Sequence, residues 1–175
     1  ENASIKCRNC NSWRFGTLGI GLELIVENLK EKFPNVEFLR LDKESAKTPK
    51  EALKIISKFT KTPGTILCGS EMALFYLNKK VDNVIVATID SLFSIPDFRM
   101  NEKIMSVLLR LRNLSQKNFL VQTRLPELSL WQYLIDGNLA DFYREEIETR
   151  KSLSYPPFSF LIKITIQGDK KAVED

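Results

Sequence analysis

The segment NVIVATID, Asn83 to Asp90, constrains the fold more than any other stretch of this chain. It is a nearly continuous apolar run rich in β-branched residues. A strand with one wet face alternates apolar and polar side chains. An uninterrupted run is instead expected of a strand covered on both faces, as in a parallel sheet. Parallel neighbours need long crossover connections, and the surrounding sequence supplies helical segments of suitable length. VEFLRL (36–41), TILCG (65–69) and NFLVQTR (118–124) read as further strands. Between them lie three amphipathic helices. Leu22, Val26, Leu29 and Phe33 form one apolar face that stops before Pro34. The second has Thr48 as N-cap, Pro49 at its first position and Ala52, Ile55, Ile56 and Phe59 inward. The third turns Ile104, Val107, Leu108, Leu111 and Leu114 to the core after a loop, SLFSIPDFR. This alternation predicts a doubly wound α/β fold with a parallel sheet.

Beyond Leu128 the pattern changes to two helices, SLWQYLIDG and LADFYREEIETRKSL. Tyr155-Pro156-Pro157 then breaks the chain before an alternating strand, FSFLIKITIQG, whose Phe158, Phe160, Ile162, Ile164 and Ile166 share one face. One strand cannot bury such a face alone, so it reads as the start of another domain. By the same reasoning the cysteine pair near the beginning reads as the last piece of a preceding one.

Composition narrows the chemistry. A chain of 175 residues with 43% hydrophobic residues can build a core. No apolar stretch is long enough to span a bilayer and the first residues do not resemble a signal peptide, so a cytoplasmic location is the default expectation. Histidine is absent, which excludes histidine-based triads, His-ligated metals and histidine acid–base chemistry from these residues. The formal charge of +4 is compatible with nucleic acid, but 26 basic residues are interleaved with 22 acidic ones. Cys68, inside an apolar run, reads as a core thiol.

Cys7 and Cys10 carry the strongest local chemical signal, since two thiolates at this spacing reach one tetrahedral Zn²⁺ from a tight turn. They are half a ligand set, and a pair of exposed reduced cysteines is an equal reading. A redox pair fits less well, because polar residues flank the motif on both sides. Gly16, Gly19 and Gly21 match no phosphate-loop spacing and read as a flexible joint. Asp90 and Asp97 stand where α/β proteins place ligands, yet without a partner base they read as turn or helix caps. Arg110, Arg112, Lys79 and Lys80 are candidates for phosphate contact or plain solvated surface. Phe75, Tyr76 and Trp131 read as packing residues before base-stacking ones.

Taken in order, Cys-x-x-Cys-x-Ser from Cys7, Leu-Gly-Ile-Gly-x-Glu from Leu18, Phe33-Pro34, Gly69-Ser70-x-Met72, Ile95-Pro-Asp-Phe-Arg99, Gln122-Thr123, Phe142-Tyr-Arg-x-Glu146 and Tyr155-Pro-Pro-Phe-Ser159 resemble the primosomal protein N-prime (PriA) family. Those helicases restart stalled bacterial replication forks. The similarity runs from Cys7 to Gly168, and its most specific pieces are Ile95–Arg99 and Tyr155–Ser159. In that family two RecA-like lobes bind ATP and Mg²⁺ between them, a cysteine-rich zinc module is inserted in the second lobe, and a C-terminal domain follows. The resemblance implies that residues 1–15 end the zinc module, with Cys7 and Cys10 as its final ligand pair. It implies that 16–128 form the second RecA-like lobe, 129–155 connecting helices, and 156–175 the start of the C-terminal domain. It also implies forked or single-stranded DNA, replication-restart proteins and single-strand-binding proteins as partners. Nucleotide contact falls on Gly69, Ser70 and Lys117, and DNA contact on Lys79, Lys80 and Arg99.

Two departures matter. The family's Lys-Gly pair after Gly-Thr-Gln-Met is missing from Gly69–Tyr76. Its arginine-rich motif aligns with Asn113–Lys117, where Leu114 and Lys117 replace two arginines. Lysine does not reproduce the planar fork of an arginine finger, and leucine carries no charge. No GK[ST] phosphate loop occurs in the 175 residues either. Two functions therefore stand side by side: part of a restart helicase with altered ATPase chemistry, or a non-catalytic DNA-binding or scaffold protein that keeps the lobe. An oxidoreductase using Cys7 and Cys10 is a third reading.

Overall fold

The structure, a computed structural model, describes residues 21–162 and 164. Helix α1 spans Leu22–Lys32, strand β1 Phe38–Leu41, helix α2 Pro49–Lys61 and strand β2 Ile66–Gly69. A short helix α3 (Ala73–Tyr76) precedes β3 (Val81–Val86), and a 3₁₀ turn (Asp90–Ser94) leads to α4 (Met100–Leu114) and β4 (Ser115–Val121). Helices α5 (Ser129–Asp136) and α6 (Leu139–Ser152) follow. The fold class is α/β. Among the described residues every ladder is parallel, as expected, but β1 pairs only with β2 and β3 only with β4, so two two-stranded pieces stand there in place of the single sheet that was predicted.

Local chemistry explains α2. Thr48 accepts from the Glu51 N–H while the Glu51 carboxylate accepts from the Thr48 N–H, and Pro49 begins the helix where no amide partner is needed. Ala52 and Ile56 are buried with Leu41 and Ala46. Alternation along β1 and β2 then separates two faces. Leu41 and Leu67 pack with the α2 side, while Arg40 reaches Glu23 of α1, and Cys68, in register with Arg40, is buried near Lys30 of the same helix. The reading of Cys68 as a buried thiol holds, and burial pushes its pKa up.

The larger core gathers around α4. Ile104 and Leu108 have no exposed surface and Met105 almost none; Ile89, Met100, Leu130, Leu134 and Phe142 complete the cluster, with Val86, Phe119 and Val121 packed against it from the strands. The opposite face of β3–β4 is open: Ile85 is 66% exposed and its register partner Leu120 56%. NVIVATID was read as a strand covered twice. Among the described residues only α4 covers it, and its strand ends at Val86 rather than Asp90.

At the other end, Gly137 ends α5 in the left-handed conformation (φ +70°), which separates the two predicted helices. The described residues of the predicted strand FSFLIKITIQG form no ladder, and Phe160, Ile162 and Ile164 are largely exposed. Cys7, Cys10, Gly16 and Gly19 lie outside the described residues.

Gly69 closes β2 against its neighbours. A Cβ there would stand 2.9 Å from the Ala73 Cβ and 3.1 Å from the Leu41 carbonyl oxygen. Gly69→Ala is therefore expected to destabilise the fold by roughly 1–3 kcal/mol, through forced displacement of backbone rather than of a flexible side chain. Urea unfolding checks this, and an unchanged midpoint would show that the strand end gives way freely.

Candidate functional site

The residues aligned with the family's nucleotide contacts are distributed over both sheet pieces. Gly69 and Ser70 sit at the C-terminal end of β2, the edge where parallel sheets receive ligands. The Ser70 N–H donates to the Leu41 carbonyl at 3.2 Å, and its own carbonyl accepts from the Ala73 N–H at 2.9 Å. Both backbone groups thus close the β1–β2–α3 corner, and the close approach to Ala73 accounts for the glycine. Lys117 lies near the start of β4 and donates to Asp82 on β3 at 2.6 Å. Leu114, at the end of α4, is half-buried.

The two arginines of α4 have structural partners. Arg110 donates through Nη2 to the Leu74 carbonyl at 3.0 Å and lies 5.7 Å from the Phe75 ring centroid. Arg112 donates to the Leu134 carbonyl at 2.6 Å. Those bonds tie α4 to α3 and α5. Asp90 behaves as a cap: the Thr123 hydroxyl donates to one oxygen at 2.7 Å and the Arg124 N–H to the other at 2.8 Å. Trp131 packs edge-on to Phe93 and donates to the Leu125 carbonyl. Phe75 departs from the packing expectation, being 71% exposed. Lys79 and Lys80 are exposed in the connection from α3 to β3.

Sequence reasoning noted the segments Ile95–Arg99 and Tyr155–Ser159 only as separate motifs. The structure brings them together. Phe98 and Tyr155 rings lie 5.7 Å apart, and the Arg150 guanidinium sits 5.0 Å from the Phe98 centroid. Arg150 also meets Glu102 of α4 at 2.8 Å and Glu146 of its own helix at 3.3 Å. Glu146, 6% exposed, takes a further bond from Asn101. Desolvation pulls the Arg150 pKa down, but the two carboxylates outweigh it and the net shift is upward. The Arg150 carbonyl accepts from the Tyr155 N–H at 2.7 Å, which anchors the turn containing Pro156 and Pro157. No pattern within either motif announces Arg150, because its partners come from three separate elements.

Asp97, in the same loop, is a cap with a cation attached. Lys103 donates to it at 2.8 Å and the Arg99 N–H at 3.0 Å, and these bonds lower its pKa from 3.8 to about 2 against the opposing effect of desolvation. The Arg99 guanidinium lies near Asp97 and the Phe98 ring, and its side chain is 60% exposed.

The fit of the implied cofactors differs. The pair Cys7 and Cys10 lies outside the described residues, and among the described residues no group of three or more Cys, Asp or Glu could hold a metal. For nucleotide, the Ser70 N–H is bonded to the Leu41 carbonyl and Lys117 faces Asp82. The Ser70 N–H and the Lys117 ammonium thus each have a partner within the fold, the latter in an exposed ion pair.

Comparison with known proteins decides the family. The chain is 31% identical over 156 residues to the replication restart protein PriA of Chlamydia muridarum, covering 86% of this chain. It is 28% identical over 168 residues to PriA of Borreliella burgdorferi, and 27% identical over 172 residues to PriA of Thermotoga maritima. The chain belongs to the PriA family. It is a distant and partial relative, spanning 21%, 25% and 23% of those three proteins. No protein-family model matches it. Both motifs joined at Arg150 fall within the segment shared with the PriA of T. maritima, which covers 95% of the chain.

Two outcomes are expected at this junction. Arg150→Met leaves Glu146 buried without its cation and should cost roughly 3 kcal/mol in urea unfolding, part of it recovered in the double variant Glu146→Gln/Arg150→Met. The depressed Asp97 pKa means that its stabilising contribution is complete above pH 3.8 and lost as pH falls through about 2. A carboxyl NMR titration should find that midpoint, and Lys103→Met should move it upward. A wild-type midpoint near 3.8 would show that Lys103 does not hold Asp97.

Proposed function

We propose that this chain acts in replication restart as a DNA-binding region built on a RecA-like second lobe. The observation that supports it is similarity to PriA proteins along 86–95% of the chain. The α/β class and parallel ladders are compatible with such a lobe. DNA contact comes from exposed cations, among them Lys79, Lys80 and Arg99, and not from a single basic face. Zn²⁺ on Cys7 and Cys10 and contact with single-strand-binding proteins belong to the same reading.

A second reading is favoured by particular contacts. Leu114 has no charge and Lys117 faces Asp82 within the segment aligned with the arginine motif, and just before it Arg110 and Arg112 each bond to a main-chain carbonyl. A non-catalytic DNA-binding role needs none of these groups free. ATP-dependent unwinding requires phosphate-contacting groups supplied by other residues.

Fluorescence anisotropy with a labelled forked duplex tests the reading. Affinity is expected to fall steeply between 50 and 200 mM salt, because cations that neutralise phosphates release counterions. Binding that ignores salt, or no binding at low salt, would overturn it. DNA-stimulated ATP hydrolysis, measured on the same protein, separates the two readings: turnover supports the motor and its absence supports the scaffold.

A further inference from the structure

A cavity of about 130 Å³ lies where the 3₁₀ turn, α4, α5 and α6 meet. Phe93, Leu130 and Phe142 give it apolar walls, and Asn101, Glu145 and Glu146 supply polar groups. Among the described residues no lysine or arginine lines it. We infer that this cavity binds the primary ammonium end of an alkyl chain, with the charge at Glu145 and Glu146 and the methylenes along the phenylalanine rings. The inference is independent of the DNA-binding reading, since carboxylates repel phosphate.

Three observations carry it. Glu145 is a carboxylate without a cation: among the described residues its partners are two hydroxyls, that of Ser129 at 2.7 Å and that of Tyr133 at 2.6 Å. Those bonds orient the carboxylate and leave its charge uncompensated. Glu146 has a side chain only 7% exposed, yet it accepts just two bonds, from Asn101 and from Arg150, both at 3.3 Å. A carboxylate offers about four acceptor positions, so a buried one lining a cavity has capacity left for a further donor. Its cation is also shared, because Arg150 meets Glu102 at 2.8 Å. Glu102, Glu145 and Glu146 against one arginine leave a surplus of negative charge. The Tyr133 phenol registers it: its pKa is raised first by the bond to Glu145, and also by the charges of Glu145 and Asp141.

Size and donor count then select the ligand. Water takes up about 30 Å³ per molecule in the liquid, so the cavity suits a few methylenes with one small head group. A divalent cation fits poorly, because among the described residues no third carboxylate joins these two. An ammonium brings three N–H donors on an apolar stem, and aromatic rings attract it further. The N-terminus of α5, at Ser129, opposes a cation with about half a unit charge. Two carboxylates outweigh that.

The same chemistry is offered by a lysine side chain of another protein and by a free amine. The test is an amide NMR titration of the parent chain with butylammonium chloride, with sodium chloride at matched concentration as the blank. Saturable shifts are expected at Ser129, Leu130 and Thr149, with the millimolar affinity that suits so few atoms. Replacing the ligand by 1-butanol, of the same shape without the charge, should weaken binding about tenfold or more, and so should Glu145→Gln, the loss expected of a charge-assisted hydrogen bond. Glu148→Gln, on the same helix and outside the cavity, should bind as the parent does. An amide spectrum of Glu145→Gln that is unchanged away from the cavity shows that the fold is kept. No saturable shift, equal binding of 1-butanol, or a folded Glu145→Gln variant that matches the parent would each overturn the inference. Nα-acetyl-lysine methylamide and putrescine separate the sources. Tighter binding of the first assigns the cavity to a partner's lysine, tighter binding of the second to a free amine, and either supports an ammonium site.

Discussion

Burial of one helix face holds the β3–β4 half of this molecule together. The stripe of α4 that contains Ile104, Met105 and Leu108 is almost wholly removed from water, and it is the surface on which β3, β4, the 3₁₀ turn and α5 assemble. At about 25 cal/mol per Å² of apolar surface, burial on this scale is the largest favourable contribution available to so small a core. Polar contacts then radiate from the same helix. Arg110 reaches α3, Arg112 reaches α5, and Glu102 reaches Arg150 on α6. The helix is therefore both core and bracket. Its charged side chains work because the apolar stripe fixes where they point.

The joint at Arg150 ties together two segments that lie far apart in the chain. Phe98 arrives from the loop before α4 and Tyr155 from the turn after α6, and the guanidinium between them is neutralised by Glu102 and Glu146. A buried guanidinium is tolerable only with such compensation, and each partner depends on the others. Change at any one position is felt at all of them. The residues aligned with phosphate contact lack this mutual dependence: Leu114 is half-buried, and Lys117 meets Asp82 in an exposed ion pair.

Local features were well legible in the residues. The Thr48–Glu51 capping box, Pro49, the stop before Pro34 and the break between α5 and α6 all rest on interactions within four residues, so the sequence states them directly. The short helix α3 and the 3₁₀ turn at Asp90 were not legible, because each spans about one turn and shows no period. NVIVATID was identified as a strand, but its two-sided burial was not realised among the described residues: α4 covers one face, and Ile85 and Leu120 remain in water on the other. β-branched residues announce an extended backbone, not the number of layers around it.

The same division runs through the candidate site. From the sequence alone came the family, the α/β alternation and the identity of the charged residues, since each depends on residue order. The tertiary structure alone decided what those charges do. Arg110 and Arg112 looked alike as phosphate candidates, and Asp90 and Asp97 as strand-edge carboxylates. Folding gave Arg110 an aromatic neighbour, Arg112 a helix carbonyl, Asp90 a loop to cap and Asp97 a lysine. A side chain's role is set by its neighbours in space, and those come from segments tens of residues away that meet only when the apolar face of α4 is buried.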